Sequence, residues 1–447
     1  MISRRGLIKF GAASVGSLAL RPFGLLPALA QSGSPGYRAL VCVFLYGGND
    51  SNNMVVPMDD QNYKSYLSLR GNLALQQTDL TPAMGAKTGG APYSFHGDLS
   101  ELASLFSNGE LAVVANVGSL VQPTTRTQYL SQVAPVPLNL FSHSDQQLQW
   151  QTSVPSGHSP TGWAGRAADI ISSQNSSNFP TFLSVAGNSL MGTGVSTQPV
   201  ALNPGQSLDL QGFSTSTASQ ARLAAIENLL TLSTGVKLAQ SANGIISDSI
   251  ADAKALDNAL GKSGALKTAF PKTGLGAQLQ QIAQIIQARD GLGMNRQIFF
   301  AALGGFDTHA GELNTHKLLY PQLNQALNAF NNAMQELSVE GDVTTFTESD
   351  FSRTFQPTSS DGSDHAWGSH HLVMGGAVKG GDIYGRFPSF QLGGPDDTDT
   401  RGRWIPTTAI DQYGATLSSW FGIADTDLVK VFPNFANFKS QKLSFLG

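Results

Sequence analysis

Short apolar segments alternate along this chain with longer segments in which apolar residues recur every three or four positions. The first pattern is typical of buried strands and the second of amphipathic helices. Strands are predicted at 38–46, 111–117, 181–185, 298–303 and 343–347. Helices are predicted at 99–106, from 141 onwards, around Leu223 to Leu230, around Leu279 to Ile286, from Leu323 to Leu337, and up to Trp420. This alternation predicts an α/β domain with a mainly parallel central sheet flanked by helices.

One segment departs from the alternation. Residues 189–214 are rich in Gly, Ser, Thr, Gln and Pro and have no clear periodicity. Together with the helical stripes that follow, they predict a polar and helical insertion near 189–290. The sequence thus predicts a single domain over 31–447, interrupted by this insertion.

The start of the chain is typical of an export signal. Ser3-Arg4-Arg5-Gly6-Leu7-Ile8-Lys9 is a twin-arginine pattern, and an apolar segment then ends in Ala28-Leu29-Ala30. This predicts a signal peptide over 1–30, recognition by the twin-arginine export machinery and a periplasmic or secreted protein. The alternative is an N-terminal membrane anchor, but Pro22 and Pro27 interrupt the apolar segment.

Composition excludes some classes of partner. The 447 residues carry a formal net charge of -4, and no basic patch is visible, so we expect no nucleic-acid binding. No later stretch is apolar and long enough to span a membrane. Cys42 is the single cysteine, which excludes an internal disulfide and predicts a buried thiol.

Acids and histidines follow three of the predicted strands. Asp50 follows strand 38–46, Asp307-Thr308-His309 follows strand 298–303, and Asp350 follows strand 343–347, with Asp364-His365 a little later. Because ligands bind outside the carboxyl ends of parallel strands, we expect these side chains in one pocket, with tips within about 8 Å. Carboxylates and imidazoles hold divalent metals, so the sequence predicts one or two ions of zinc, manganese or calcium.

A serine and a histidine open one predicted helix. Ser142 precedes His143 there, and such a serine is commonly an N-cap. A serine at a helix N-terminus beside a histidine can also be a nucleophile. Both interpretations remain open on the local pattern.

Several motifs together resemble one exported bacterial family, domain of unknown function 1501. They are Phe44 to Asp50, Gly304 to His309, Ser349 to Thr354, Asp364 to Gly368, Gly375 to Gly385 and Pro406 to Gly422, along with the twin-arginine start. That family is distantly similar to the alkaline phosphatase and sulfatase superfamily. The resemblance implies an alkaline-phosphatase-like α/β fold with divalent metals at the strand ends.

The resemblance also implies roles for individual residues. Asp50 matches the early metal aspartate, Asp307 and His309 the later pair, and Asp350 the carboxylate of the other metal. His365, with Asp364 beside it, matches the late histidine, and His370 is a further candidate ligand. Ser142 with His143 is the first candidate for the nucleophile, ahead of Ser51. The spacing from Asp307 to His309 is shorter than the superfamily's Asp-x-x-x-His, and Ser349-Asp350 stands where Asp-His is expected.

Two functions follow as hypotheses. The first is a metal-dependent hydrolase of phosphate or sulfate esters, acting on a small-molecule or glycan ester, in which Arg353 grips the non-bridging oxygens of the substrate. The second is a non-catalytic extracytoplasmic protein on a degenerate hydrolase fold, which binds glycans or helps to assemble cell-surface material. The departures in spacing and the long insertion support the second, which stands as the alternative to the hydrolase.

Replacing both arginines of the signal, Arg4→Lys with Arg5→Lys, should block export. Lysine keeps the charge but lacks the planar fork of the guanidinium group. The precursor should then accumulate in the cytoplasm, as measured by fractionation and immunoblotting. Normal extracytoplasmic levels of the double variant would contradict the assignment.

Overall fold

A nine-stranded mixed sheet forms the centre of the molecule. The computed structural model describes residues 36–205, 216–232, 235–439 and 441–447. The strand order is β10-β4-β9-β8-β1-β7-β5-β6, with β11 also pairing with β4, and β2 and β3 form a separate two-stranded sheet. The strands are β1 Arg38–Tyr46, β2 Val55–Pro57, β3 Tyr93–Phe95, β4 Leu111–Gly118, β5 Phe182–Ser184, β6 Val200–Ala201, β7 Arg296–Gly304, β8 Val343–Ser349, β9 Ser369–Met374, β10 Ile383–Gly385 and β11 Thr408–Ala409.

The prediction of a mainly parallel sheet is confirmed. β1 lies between β7 and β8 and is parallel to both, and β5 continues the parallel order beyond β7. β9 is the exception, since it runs antiparallel to both β4 and β8. The sequence pattern did not predict β9, because His370 within it was interpreted as a candidate metal ligand.

Helices cover both faces of this sheet. They are α1 Ser51–Met54, α2 Asp60–Arg70, α3 Ser100–Asn108, α4 Arg126–Leu130, α5 His143–Thr152, α6 Trp163–Ile171, α7 Thr217–Leu230, α8 Lys237–Lys262, α9 Gly274–Gln287, α10 Glu312–Glu336, α11 Ile410–Phe421 and α12 Leu428–Val431. None of the described helices has the length and apolar character needed to cross a bilayer. The predicted signal peptide lies outside the described residues.

Strand β1 is apolar on both sides because it separates two hydrophobic cores. Val41 and Val43 face one core, which contains residues of α3, α9 and α10. Cys42 and Phe44 face the other, which contains residues of α6, α11 and α12. Side chains alternate between the faces of a strand, so a continuous apolar run is what a buried parallel strand requires. The Cys42 thiol is buried as predicted, and burial raises its pKa.

His371 of β9 lies in the second core. Its ring contacts Trp150, with centroids 4.7 Å apart, and neither ring nitrogen has a hydrogen-bond partner among the described residues. Burial lowers the pKa of His371 from 6.5 to about 3. The imidazole is therefore neutral in the folded protein at neutral pH.

This burial predicts a specific loss of stability in acid. The unfolded chain binds a proton at His371 below pH 6.5, whereas the folded chain does not until about pH 3. The stabilising contribution is thus complete above pH 6.5 and falls as the pH decreases through that window. His371→Phe should reduce the loss of unfolding free energy between pH 7 and pH 4.5 by up to about 3 kcal/mol in urea titrations. His158→Phe, at an exposed histidine, is the control, and an equal effect in both variants would contradict the interpretation.

Candidate metal centre

The carboxyl ends of three neighbouring strands bring the predicted acids to one edge of the sheet. β8, β1 and β7 are adjacent and parallel, so the turns after Ser349, Tyr46 and Gly304 lie side by side. Asp350 and Asp307 therefore flank the turn that follows β1. The main chain of this turn binds Asp350, because Gly47 N donates to Asp350 Oδ1 at 3.2 Å.

Two glycines allow the loops at this edge to approach closely. Gly47 has a φ of 111°, and a Cβ at this position would collide with the backbone of Phe306 and Asp307. A Cβ on Gly362 would collide with the backbone of His309. Any larger residue at either position would push the strand-end loops apart. These glycines set the spacing of the side chains above them.

Three imidazole nitrogens surround one carboxylate oxygen. From Asp307 Oδ1, the distance to His309 Nε2 is 3.1 Å, to His143 Nε2 3.3 Å and to His365 Nε2 3.6 Å. The Nε2 atoms of His309 and His365 are 3.0 Å apart. These side chains come from the start of α5, the loop after β7 and the loop before β9. The structure thus brings together Asp307, His309 and His365, as expected, and adds His143.

In His143 and His365, the second ring nitrogen, Nδ1, lies within hydrogen-bond distance of an acceptor. His143 Nδ1 lies 2.6 Å from Asp350 Oδ2, and His365 Nδ1 lies 2.8 Å from the carbonyl oxygen of Phe141. Phe141 adopts a φ of 74°, unusual for a side chain of this size, and this directs its carbonyl group toward the histidine. Histidines that bind metal usually donate their other N–H in this way. Both Nε2 lone pairs then point into the space beside Asp307.

Four of the six distances among the donor atoms are compatible with a tetrahedral ion. His143 and His309 belong to different groups of closely spaced candidate ligands, which share His365. With metal to nitrogen distances of about 2.0–2.1 Å, tetrahedral ligand atoms lie about 3.3 Å from one another. The contacts given above, from 3.0 to 3.6 Å, bracket that value. His143 Nε2 is also buried without a hydrogen-bond partner in the described parts of the chain. A buried ring nitrogen that has no hydrogen-bond partner and faces a carboxylate is compatible with a cation between the two groups.

Charged groups around the cluster keep Asp307 ionised. Burial alone would raise the pKa of Asp307, but the hydrogen bond from Arg353 and the nearby cationic side chains hold it below its usual value. The hydrogen bond to Asp350 raises the pKa of His143, whereas burial lowers the pKa of His365. The side chains of Asp307 and His309 are 48% and 49% exposed, so one side of the cluster is open to solvent.

Two of the predicted ligands act differently in the structure. Asp350 is fully buried, and its carboxylate accepts hydrogen bonds from His143, Gly47 and Gln147. It therefore fixes the orientation of the His143 ring. Asp364 lies within reach of His309 and His365, but Arg401 and Arg403 bind its Oδ2 at 3.1 and 2.8 Å. Those two arginines neutralise the charge with which Asp364 would attract an ion.

Asp50 belongs to a second, fully buried cluster. Arg70 binds Asp50 directly and lies 3.1 Å from Glu312, and His316 completes the group. Burial, opposed by the charge of Arg70, raises the pKa of Asp50 to about 6. A guanidinium group therefore lies among the carboxylates where the superfamily resemblance implied a metal.

The remaining predicted residues have structural contacts. Arg353 is buried, and it donates to Asp307 Oδ1, the carbonyl oxygens of Gly47 and Ser363, and the Ser363 hydroxyl. Arg353 therefore fixes the position of Asp307 from the buried side. It is not exposed to solvent, as a residue that binds substrate would be. Ser142 Oγ donates to Asp145 Oδ2 at 2.6 Å. His370 is buried in β9, where its Nδ1 accepts from Asn116 N and its ring packs on Phe387.

Sequence reasoning missed several contributors. Arg70, Glu312, His316, Arg401 and Arg403 were not predicted as members of either cluster. Glu312 and His316 are four positions apart on α10, a spacing that places both on one helix face and could have been noticed. His143 was predicted, but as a partner of Ser142, and its position beside Asp307 and His365 was not recognised. Nothing local in the sequence marks Arg70.

The family comparison agrees with the motifs. A family model described as "Protein of unknown function (DUF1501)" matches residues 37–399. The chain belongs to the DUF1501 family. The match includes Asp50, all four donors of the candidate metal centre and the buried cluster around Arg70. None of the curated proteins matches this DUF1501 member.

Solved structures resemble this DUF1501 member at low sequence identity. Ps i-CgsB shares 8% identity with a TM-score of 0.38, and the match covers 91% of this chain and 77% of that one. A phosphonate monoester hydrolase of Agrobacterium radiobacter shares 9% at 0.34, with coverage of 87% and 74%. The PsFucS1 sulfatase from a Pseudoalteromonas species shares 8% at 0.32, with coverage of 88% and 68%.

Removing the charge that orients His143 should weaken metal binding without removing a ligand. Asp350→Asn should raise the dissociation constant for zinc about 10- to 100-fold, since partners of metal-bound histidines contribute about this much. Titration calorimetry of the chelator-treated protein measures it. Asp145→Asn, which changes an acid on the same helix outside the cluster, should bind zinc as wild type does. Equal affinities for all three proteins would exclude this geometry.

Proposed function

We propose that this chain is an exported, metal-dependent hydrolase of phosphate or sulfate esters with one divalent ion at the cluster of His143, His309, His365 and Asp307. The observation that carries the proposal is the convergence of three Nε2 atoms on Asp307 Oδ1, at 3.1 to 3.6 Å. Export by the twin-arginine route remains part of the proposal and rests on the sequence pattern of residues 1–30.

The donor set favours a particular class of ion. Three imidazoles and one carboxylate suit zinc or another transition metal, whereas calcium and magnesium prefer oxygen ligands. Of the metals expected from the sequence, zinc therefore fits this cluster best. Because the Asp50 cluster already contains Arg70, the proposal needs one ion rather than two.

The charges around the cluster support an anionic substrate. Asp307, Asp350 and Asp364 are matched by three guanidinium groups, those of Arg353, Arg401 and Arg403. Arg403 also binds Asp399, so without an ion the four carboxylates exceed the three guanidinium groups by one negative charge. A divalent cation would reverse this to an excess of one positive charge on the solvent-facing side, which attracts phosphate or sulfate groups.

Each residue of the centre has a role in this proposal. Asp350 and the Phe141 carbonyl fix the rings of His143 and His365, and Arg353 fixes Asp307. When bound, a divalent cation would supply Lewis-acid polarisation of a substrate oxygen. The exposed side at Asp307 and His309 leaves room for the ester and for water. Preorganised side chains of this kind reduce the reorganisation needed during reaction.

One observation favours the second candidate, a non-catalytic protein that binds glycans or helps to assemble cell-surface material. Ser142 Oγ is engaged with Asp145, and both nitrogens of His143 face carboxylates, so the pair lacks a nucleophile and base arrangement. An enzyme with this site would more readily use water than Ser142 as its nucleophile. A binding protein would need no nucleophile.

The test combines metal content with turnover. Protein exported in its native host should contain about one equivalent of metal by mass spectrometry and should hydrolyse some aryl phosphates, phosphonates or sulfates. His309→Ala removes a ligand, so metal content should fall, and the melting temperature should drop because metal binding contributes to folding. Activity should decrease at least about 100-fold, equivalent to about 3 kcal/mol.

Matched variants separate the candidates. Asp307→Asn should behave like His309→Ala, whereas His158→Ala should leave metal content and activity unchanged. Ser142→Ala should retain metal, and its activity distinguishes a serine nucleophile from water. Stoichiometric metal with no turnover on any ester class would support the binding protein, and a wild-type protein without metal would contradict the centre itself.

A further inference from the structure

A helical hairpin extends away from the two hydrophobic cores. It consists of α7 and α8, linked by an ion pair between Glu227 and Lys254. The second half of α8 is anchored to the body, because it buries Ile250 and Leu256. In contrast, none of residues 237–249 is buried. The tip of the hairpin thus consists of two helices that mainly support each other.

This tip exposes an unusual amount of apolar surface. Two packed helices bury only the faces that contact each other. Their outer faces remain in solvent unless another element covers them. On the described hairpin, six large apolar side chains are about half exposed or more: Leu229 62%, Leu232 57%, Val236 57%, Leu238 54%, Ile245 49% and Ile246 46%. Clustered exposure of this kind marks interaction surfaces.

The charges on α8 point to what covers this surface. Lys237 and Asp248 are eleven positions apart (248 − 237), about three helical turns, so they lie on the same side of the helix. When two such helices pack antiparallel about Ala242 and Asn243, each Lys237 comes level with Asp248 of the other. The small Ala242 at the crossing point permits close approach. Asp248 also lies one turn from Asp252, so a cation beside it would relieve repulsion between two acids.

We propose that the apolar hairpin tip binds a second copy of this chain, forming an antiparallel four-helix interface in which Lys237 of each copy pairs with Asp248 of the other. Leu238 and Ile245 of the two copies form the apolar seam. The hairpin from 217 to 262 carries four basic and four acidic residues. This balance disfavours an anionic membrane surface as the occupant, since such surfaces attract basic helices.

Sedimentation velocity of the exported wild-type chain over a range of concentrations tests this proposal, and it should show a monomer–dimer equilibrium. Leu238→Asp with Ile245→Asp should give monomer. Leu318→Asp, at an exposed position of α10 that is 69% accessible, should leave the dimer intact. Circular dichroism and metal content check that each variant is folded.

Charge reversal provides a second test that does not alter the apolar seam. Lys237→Glu alone and Asp248→Lys alone should each weaken the dimer about tenfold, because two symmetric ion pairs become repulsive. The variant carrying both reversals should restore the wild-type dissociation constant. A monomeric wild type, or a dimer that survives the two aspartates in the seam, would overturn the proposal. So would a double reversal no tighter than the single ones, or binding of wild type to anionic vesicles that the seam variant loses.

Discussion

The buried guanidinium of Arg353 is the interaction on which the candidate site depends. It donates to Asp307, to the carbonyl oxygens of Gly47 and Ser363 and to the Ser363 hydroxyl, and thereby joins the turns after β1, β7 and β8. A buried charge is tolerated only when it is fully paired and hydrogen-bonded. The loops must therefore adopt this arrangement together, and the position of Asp307 follows from it. Removing any one acceptor would leave part of a charge unpaired inside the protein.

The sequence predicted those parts of the fold that local patterns determine. The bounds of β1 agree with the structure, and β7 and β8 begin and end within two residues of the predicted limits. Apolar runs that stop at Gly-Gly or at acids carry this information within a few positions. β9 was missed for the opposite reason, since its two histidines are buried by neighbouring layers and no local pattern distinguishes them from ligands.

The roles of the site residues were harder to predict because they are decided by distant partners. The acids at the strand ends were expected in one pocket, but Asp350 binds the ring of His143 and Asp50 lies in a separate buried cluster with Arg70. His143 was paired in the sequence with its neighbour Ser142. Its actual partner is 207 positions away, and only the folded chain decides which ring nitrogen faces which acid. The sequence thus indicated which chemical groups lie at this edge, but it did not indicate which of them contact each other.

Arg70 makes the charge balance at Asp50 and Glu312 independent of bound ions. At Asp50 and Glu312 the compensating positive charge is part of the polypeptide, so it is supplied at synthesis and cannot be exchanged or lost to a competing chelator. The carboxylates of Asp50 and Glu312 therefore need no metal to balance their charge. Any sensitivity to metal scarcity is confined to the cluster around Asp307.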